Sequence, residues 1–283
     1  MSPLFQPRLF HPLAVILVLA IMSIAPLVAK AADRDRLEAF LTVTGFDVAL
    51  DSIALAAGEA PAMLGMDAGD FGSDWKRVSD EVFDSGRMHD MALDILEAAL
   101  SDDLLTHAAS FYASPLGQRL VEAENASHMV EDDDAKQREG MALVADGVAE
   151  SDPRIEILKD LNTAVDAAGN SVRAVQEIQV RFLMAASNSG ILAQELDESA
   201  LRAALKENEA ELRANLQVSG LAGAAYTYQD FSKEDLQVYL DALQHPDMQQ
   251  VYELMNAVQY EIMANRFEVL ATRMAGMHPG QEL

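Results

Sequence analysis

Apolar residues recur along most of the chain at intervals of three and four, the spacing that places them on one face of an α-helix. Leu37, Phe40, Leu41, Thr44 and Val48 open the series, and Gly58 with Pro61 closes it. The stretch from Met63 to Asp74 is rich in Gly and Asp and reads as a loop, with Ser73 or Asp74 placed to cap a helix from Trp75. A second stripe runs through Met88, Met91, Ala92, Ile95, Leu96 and Ala99. Ser101 is placed to cap a third segment, whose inner face is Leu104, Leu105, Ala108, Phe111 and Tyr112. No segment sustains a period of two, so the predicted fold class is all-α, a helical bundle.

The segment FYASPLGQRL, from Phe111 to Leu120, predicts a corner. Proline lacks an N–H and clashes with the preceding turn, so it is excluded from helix interiors but welcome at the first helical position. Ser114 is a good N-cap in front of it. One helix therefore ends near Ala113, and the next starts at Pro115 and carries Leu116 and Leu120 inward. Gly117 costs about 1 kcal/mol of helix propensity relative to Ala, which is easiest to explain if a backbone packs closely there.

An offset of 131 sets Pro115 against Pro246, Ser101 against Ser232, Leu105 against Leu236 and Gln118 against Gln249. A cap, a helix of matching length, a proline restart and a glutamine recur in one register. The expectation is two degenerate tandem subdomains, residues 32–150 and 151–283, joined through Glu150 to Pro153. Leu201, Leu205, Leu212 and Leu216 are expected to form a helix in the place of the Trp75 helix. The second copy has His245 for Ser114 and Met248 for Gly117. What recurs is apolar residues, Pro and Gln, which points to shared architecture rather than shared chemistry.

The amino-terminal segment breaks the pattern. Arg8 and His11 precede the apolar run Leu13 to Ile24, followed by Pro26 and Ala29-Lys30-Ala31. These are the parts of a secretory signal peptide over residues 1–31, with Sec export, cleavage after Ala31 and a periplasmic location expected. An uncleaved anchor is the alternative reading of the same run. No second apolar stretch of spanning length follows, so no membrane span is expected in the mature chain. Removing the segment leaves 18 basic and all 46 acidic residues, formally −28. Such a charge repels nucleic acid and anionic lipid, so neither is an expected partner. The chain holds no cysteine, which excludes disulfides, thiolate metal sites and cysteine nucleophiles.

Phe111, Tyr112, Ser114, Pro115, Gly117 and Gln118 together resemble the motif of an exported helical family known as domain of unknown function 2059. The resemblance spans about residues 75–135 and implies a helical envelope domain. It supplies no catalytic residue to carry over, so the motif is expected to be structural.

Candidate chemistry is sparse. Met88, His89 and Met91 could serve Cu(I), since thioether and imidazole suit that ion. Met88 and Met91 also share one helix face with the apolar stripe, where methionine packs well, and core packing is the expected role. No histidine pair has H-x-x-x-H spacing, and H-E-x-x-H is absent. Asp67, Asp70, Ser73 and Asp74 could hold calcium, but position twelve from Asp67 is Val78 rather than Glu, so this is not an EF-hand. Glu131 to Asp134 suit the positive end of a helix dipole. G-x-S-x-G, P-loop and dinucleotide motifs are missing, so no cofactor and no catalytic residue is expected. The expectation is a non-catalytic binding or scaffolding module of the envelope, with an envelope protein or a small ligand as partner. Part of the set Tyr226, Tyr228, Tyr239, Tyr252 and Tyr260 is a candidate lining for its groove, while the expected role of these tyrosines is to rim the core with their hydroxyls in water. Periplasmic copper handling through Met and His ligands and an envelope hydrolase are the alternatives.

Overall fold

The computed structural model describes residues 33–192 and 195–277, and all regular structure within them is helical. The expected signal peptide, residues 1–31, and its expected cleavage point after Ala31 lie outside the described residues. Helix α1 (Arg34–Thr44) is capped by Asp33, whose carboxylate accepts from the Asp35 amide. It stops at Gly45, which holds a left-handed φ of 71°, and the chain turns by 70° into α2 (Phe46–Ala56). The single segment expected from Leu37 to Gly58 is therefore two helices. Glycine alone adopts that conformation without penalty, and a Cβ at position 45 would lie 2.4 Å from Asn125 Oδ1. The turn moves the buried face of α2 to Ala49, Leu50 and Ile53, leaving Val48 half-buried.

A short α3 (Ala60–Met63) precedes the Gly- and Asp-rich loop, and α4 (Asp74–Val82) follows it. Ser73 precedes α4 but has helical backbone and makes no capping bond. The next helix, α5 (Ser85–Ala99), buries Met88, Ala92, Leu93 and Leu96. The FYASPLGQRL corner forms as its residues dictate. Helix α6 (Asp102–Tyr112) is capped by Ser101, and α7 (Pro115–His128) by Ser114, whose hydroxyl accepts from the Gly117 amide at 3.1 Å. A Cβ on Gly117 would fall 2.3 Å from the Phe111 carbonyl and 2.6 Å from Tyr112 Cα, so α7 can fold back only because that position is glycine.

Helix α8 (Asp133–Glu150) ends at Ser151, and the turn through Pro153 leads to α9 (Arg154–Val165) and α10 (Ser171–Asn188). The leucines from 201 to 216 lie on two helices meeting at Asn208, α11 (Glu198–Glu207) and α12 (Glu209–Thr227). Helix α12 lies along α8, where Gly140 packs on the Ala222 backbone, and α11 lies against α10. The Trp75 helix instead packs on α14 (Pro246–Met274), so the two regions do not occupy equivalent places. Between them, α13 (Lys233–Leu243) is capped by Ser232.

The α6–α7 and α13–α14 corners share a serine-capped helix of 11 residues and a proline at the first position after the bend. They differ inside. Met248 is fully buried where the first corner has Gly117. Gln118 is exposed, whereas Gln249 Nε2 donates to the carbonyls of Ala164, at 2.9 Å, and of Leu243. The core is one cluster that includes Phe40, Leu96 and Tyr112 together with Phe182, Tyr239 and Phe267. It continues across the turn at 151–153, because α14 packs on α10 and also on α4, α5 and α6. Among the described residues, no single helix is long and apolar enough to cross a membrane.

Candidate ligand cavity

On α7 the inward face is Gly117, Leu120 and Val121. Glu124 continues the same three-and-four spacing, so the helix carries a carboxylate towards the core. There it meets phenols from α6 and from the second half. Tyr228, at the end of α12, donates to Glu124 Oε1 at 2.7 Å, and Tyr239 on α13 donates to the same oxygen at 2.9 Å. Tyr252 on α14 lies 2.9 Å from the Tyr239 hydroxyl and bonds the Tyr112 hydroxyl. Tyr239 uses its one O–H in the hydrogen bond to Glu124. The two remaining protons then run from Tyr252 to Tyr239 and from Tyr112 to Tyr252, so the chain of hydroxyls points at one carboxylate.

Packing fixes these rings. Phe111 stacks on Tyr239 with centroids 5.9 Å apart and planes 8° from parallel, and Tyr228 meets Tyr239 edge-on. Arg154 at the start of α9 donates to the carbonyls of Tyr228 and Phe231, holding the α12–α13 turn in place.

A cavity of about 300 Å³ opens beside the cluster, walled by the α1–α2 corner, α7, α9 and α12 to α14. Both phenols bind Glu124 Oε1, which leaves Oε2 without a protein donor among the described residues. Asn125 Oδ1 is buried and also has no partner among them. A second cavity of about 390 Å³, lined by five alanines together with polar and charged side chains, lies between the end of α9, α10 and α14. Val165, Tyr252 and Asn256 line both cavities, and Asn256 Nδ2 donates to the Val165 carbonyl at 2.7 Å. These three residues form the partition.

Burial pushes the Glu124 carboxyl above its ordinary range, while the bonds from Tyr228 and Tyr239 act against that rise. Burial, reinforced by the charge of Glu124, pushes Tyr228, Tyr239 and Tyr252 upward. The phenols therefore stay protonated and act as donors. His128 lines the same cavity; burial and the nearby Lys136 lower its pKa. No salt bridge joins His128 to Glu124, although both sit on α7.

The residues singled out from sequence are dispersed. Met88 is fully buried in the core and Met91 is half-buried, while His89 Nε2 faces the Asp47 carbonyl at 3.2 Å and Asp51 Oδ1 at 3.0 Å. Asp67 and Asp70 cap one another's turn. Of the motif residues, Ser114, Pro115 and Gly117 build the corner, Gln118 is exposed, and Phe111 and Tyr112 enter the aromatic cluster. Among the second-half tyrosines, Tyr228, Tyr239 and Tyr252 surround Glu124 and Tyr260 lines the second cavity. Glu124 is not among the residues that the sequence marks as candidates. The available signal was an acid four residues after Leu120 on an apolar face.

Residues 86–146 match the model of a family described as an uncharacterized protein conserved in bacteria (DUF2059). The match covers α5 to α7 and most of α8, and so includes the FYASPLGQRL corner and Glu124. No curated protein and no solved structure matches the chain.

Proposed function

We propose that this protein, with its family-matched corner over residues 86–146, is an exported envelope module that holds a small polar ligand between its halves. The reading is non-catalytic and places the protein in the periplasm, following the signal-peptide pattern of residues 1–31. The observation that carries it is the cavity beside Glu124. Glu124 Oε2 is an acceptor without a protein donor among the described residues, in a cavity walled by both halves. An ionised carboxylate only accepts, so Glu124 Oε2 selects a ligand that donates hydrogen bonds, through amino or hydroxyl groups. A volume of about 300 Å³ stands at the small end for ligand pockets, which suits a molecule of amino-acid or single-sugar size. The matched caps and prolines at 115 and 246 support descent of the two halves, 32–150 and 151–283, from one repeated helical unit.

Melting of the mature chain against amino acids, amino sugars, polyamines and peptidoglycan fragments tests the reading. One compound class is expected to raise the melting temperature of the wild type and to lose that effect in Glu124→Gln, which turns an acceptor into a donor. Absence of any shift across the panel contradicts the proposal. The common lining by Glu124 and His128 favours one second reading, a hydrolase. Product formation that stops in Glu124→Gln would replace binding with that reading.

A further inference from the structure

Away from the cavity, His107 on α6 and His245 at the start of α14 come together from the two halves of the chain. Their rings stack with centroids 4.4 Å apart. Asp247 Oδ2 lies 3.9 Å from His107 Nδ1 and 3.8 Å from His245 Nδ1. One ligand atom from each of the three falls within 4.8 Å of the others, the only such grouping found among the described residues. We propose that His107, His245 and Asp247 bind a divalent cation of the zinc and copper class, which fastens α6 to the start of α14.

The distances fit with modest rotation. Zinc bonds to nitrogen and oxygen are about 2.0–2.2 Å and tetrahedral, so two donors of one ion stand about 3.4 Å apart. The Asp247 separations of 3.9 and 3.8 Å are wider than that, and rotation of the side chains has to close the difference. The three side chains are between a third and a half exposed, at 32%, 50% and 49%, so they have room to turn their donors inward. The donors are also weakly committed. His107 makes no hydrogen bond among the described residues, and His245 Nδ1 accepts only a long 3.3 Å bond from the Asp247 amide. Two imidazoles with one carboxylate suit zinc(II) or copper(II), whereas magnesium and calcium prefer all-oxygen sites. A formal charge of −26 concentrates cations around the chain. These ligands are unconnected to Met88, His89 and Met91, and the site stands independently of the cavity.

The test is calorimetric titration of the EDTA-stripped mature chain with Zn²⁺, and separately with Cu²⁺, over a large excess of Mg²⁺. One ion per chain is expected, with a higher melting temperature on loading. His107→Ala removes a helix side chain that is about a third exposed and should weaken binding at least tenfold with the metal-free melting temperature unchanged. His245→Asn keeps a good N-cap and should do the same. Bound Cu²⁺ should show nitrogen hyperfine structure from imidazole in its electron paramagnetic resonance spectrum. No saturable uptake over Mg²⁺ overturns the proposal. So does uptake that both variants leave within twofold of the wild type, because the acidic surface would then be the binder.

Discussion

The Tyr239 hydroxyl stands 2.9 Å from Glu124 Oε1, joining α13 of the second half to α7 of the first. Tyr239 is almost wholly inaccessible, with 1% exposure, so this bond is made away from bulk water. It belongs to a cluster that neither half could assemble alone. Tyr112 and Glu124 come from the family-matched region, and Tyr228, Tyr239 and Tyr252 come from beyond it.

Tyr239→Phe keeps the ring and deletes the donor. Removing one partner of a buried hydrogen bond costs about 1–3 kcal/mol, so a destabilisation of about 1–2 kcal/mol is expected. Urea unfolding followed at Trp75, the single tryptophan, measures it. An unchanged midpoint would mean that the bond contributes nothing.

Glu124 also gives stability a pH dependence. Its folded carboxyl titrates above the ordinary range. A group raised on folding favours the folded state at low pH and loses that contribution as pH rises through its folded value. The stability of the wild type relative to Glu124→Gln should therefore fall from acidic to neutral pH. Urea midpoints of the two proteins that run parallel between pH 4 and pH 8 would contradict this.

Gly117→Ala places a methyl against the Phe111 carbonyl and Tyr112 Cα. Overpacking costs about 1–3 kcal/mol, more than the roughly 1 kcal/mol of helix propensity that alanine returns. Net destabilisation is expected. Gly58→Ala is the control, because a Cβ there meets nothing within 4 Å; it should leave stability unchanged or slightly raised. Equal effects of the two substitutions would show that the corner is not tightly packed.

Export is checked on the amino terminus. Protein recovered from the periplasmic fraction should begin at Ala32, read by mass spectrometry of the intact chain. A mass that includes residues 1–31 would contradict cleavage after Ala31.

Local signals were legible where local chemistry decided the structure. Ser101, Ser114 and Ser232 each accept the amide that a cap requires, and Gly117 meets backbone at the corner. The break at Gly45 was not legible, because apolar spacing continues through it and the side chain packed on that glycine, Asn125, is distant in sequence. Ser73 precedes a helix as a cap should, yet its backbone is already helical and its side chain makes no capping bond. The leucines from 201 to 216 keep helical spacing across Asn208 and conceal the junction of α11 and α12. The candidate cavity was the least legible, since it arises where faces of separate helices meet. Tyr228, Tyr239 and Tyr252 are groove candidates by sequence, but only the packing of α7 against α12 to α14 brings them to Glu124. His107 and His245 lie on no spacing motif, because α6 and the α14 corner meet only in the folded chain.

The most direct measurement of the central claim is a nuclear magnetic resonance ligand screen on the mature chain with labelled tyrosine rings. Its six tyrosines provide their own control: Tyr112, Tyr228, Tyr239 and Tyr252 form the cluster, while Tyr226 lines neither cavity. An amino- or hydroxyl-bearing compound should move the cluster signals saturably, leave Tyr226 in place and lose its effect in Glu124→Gln. Cluster signals that stay fixed across the whole panel, or shifts spread equally over all six rings, would contradict a ligand held at Glu124.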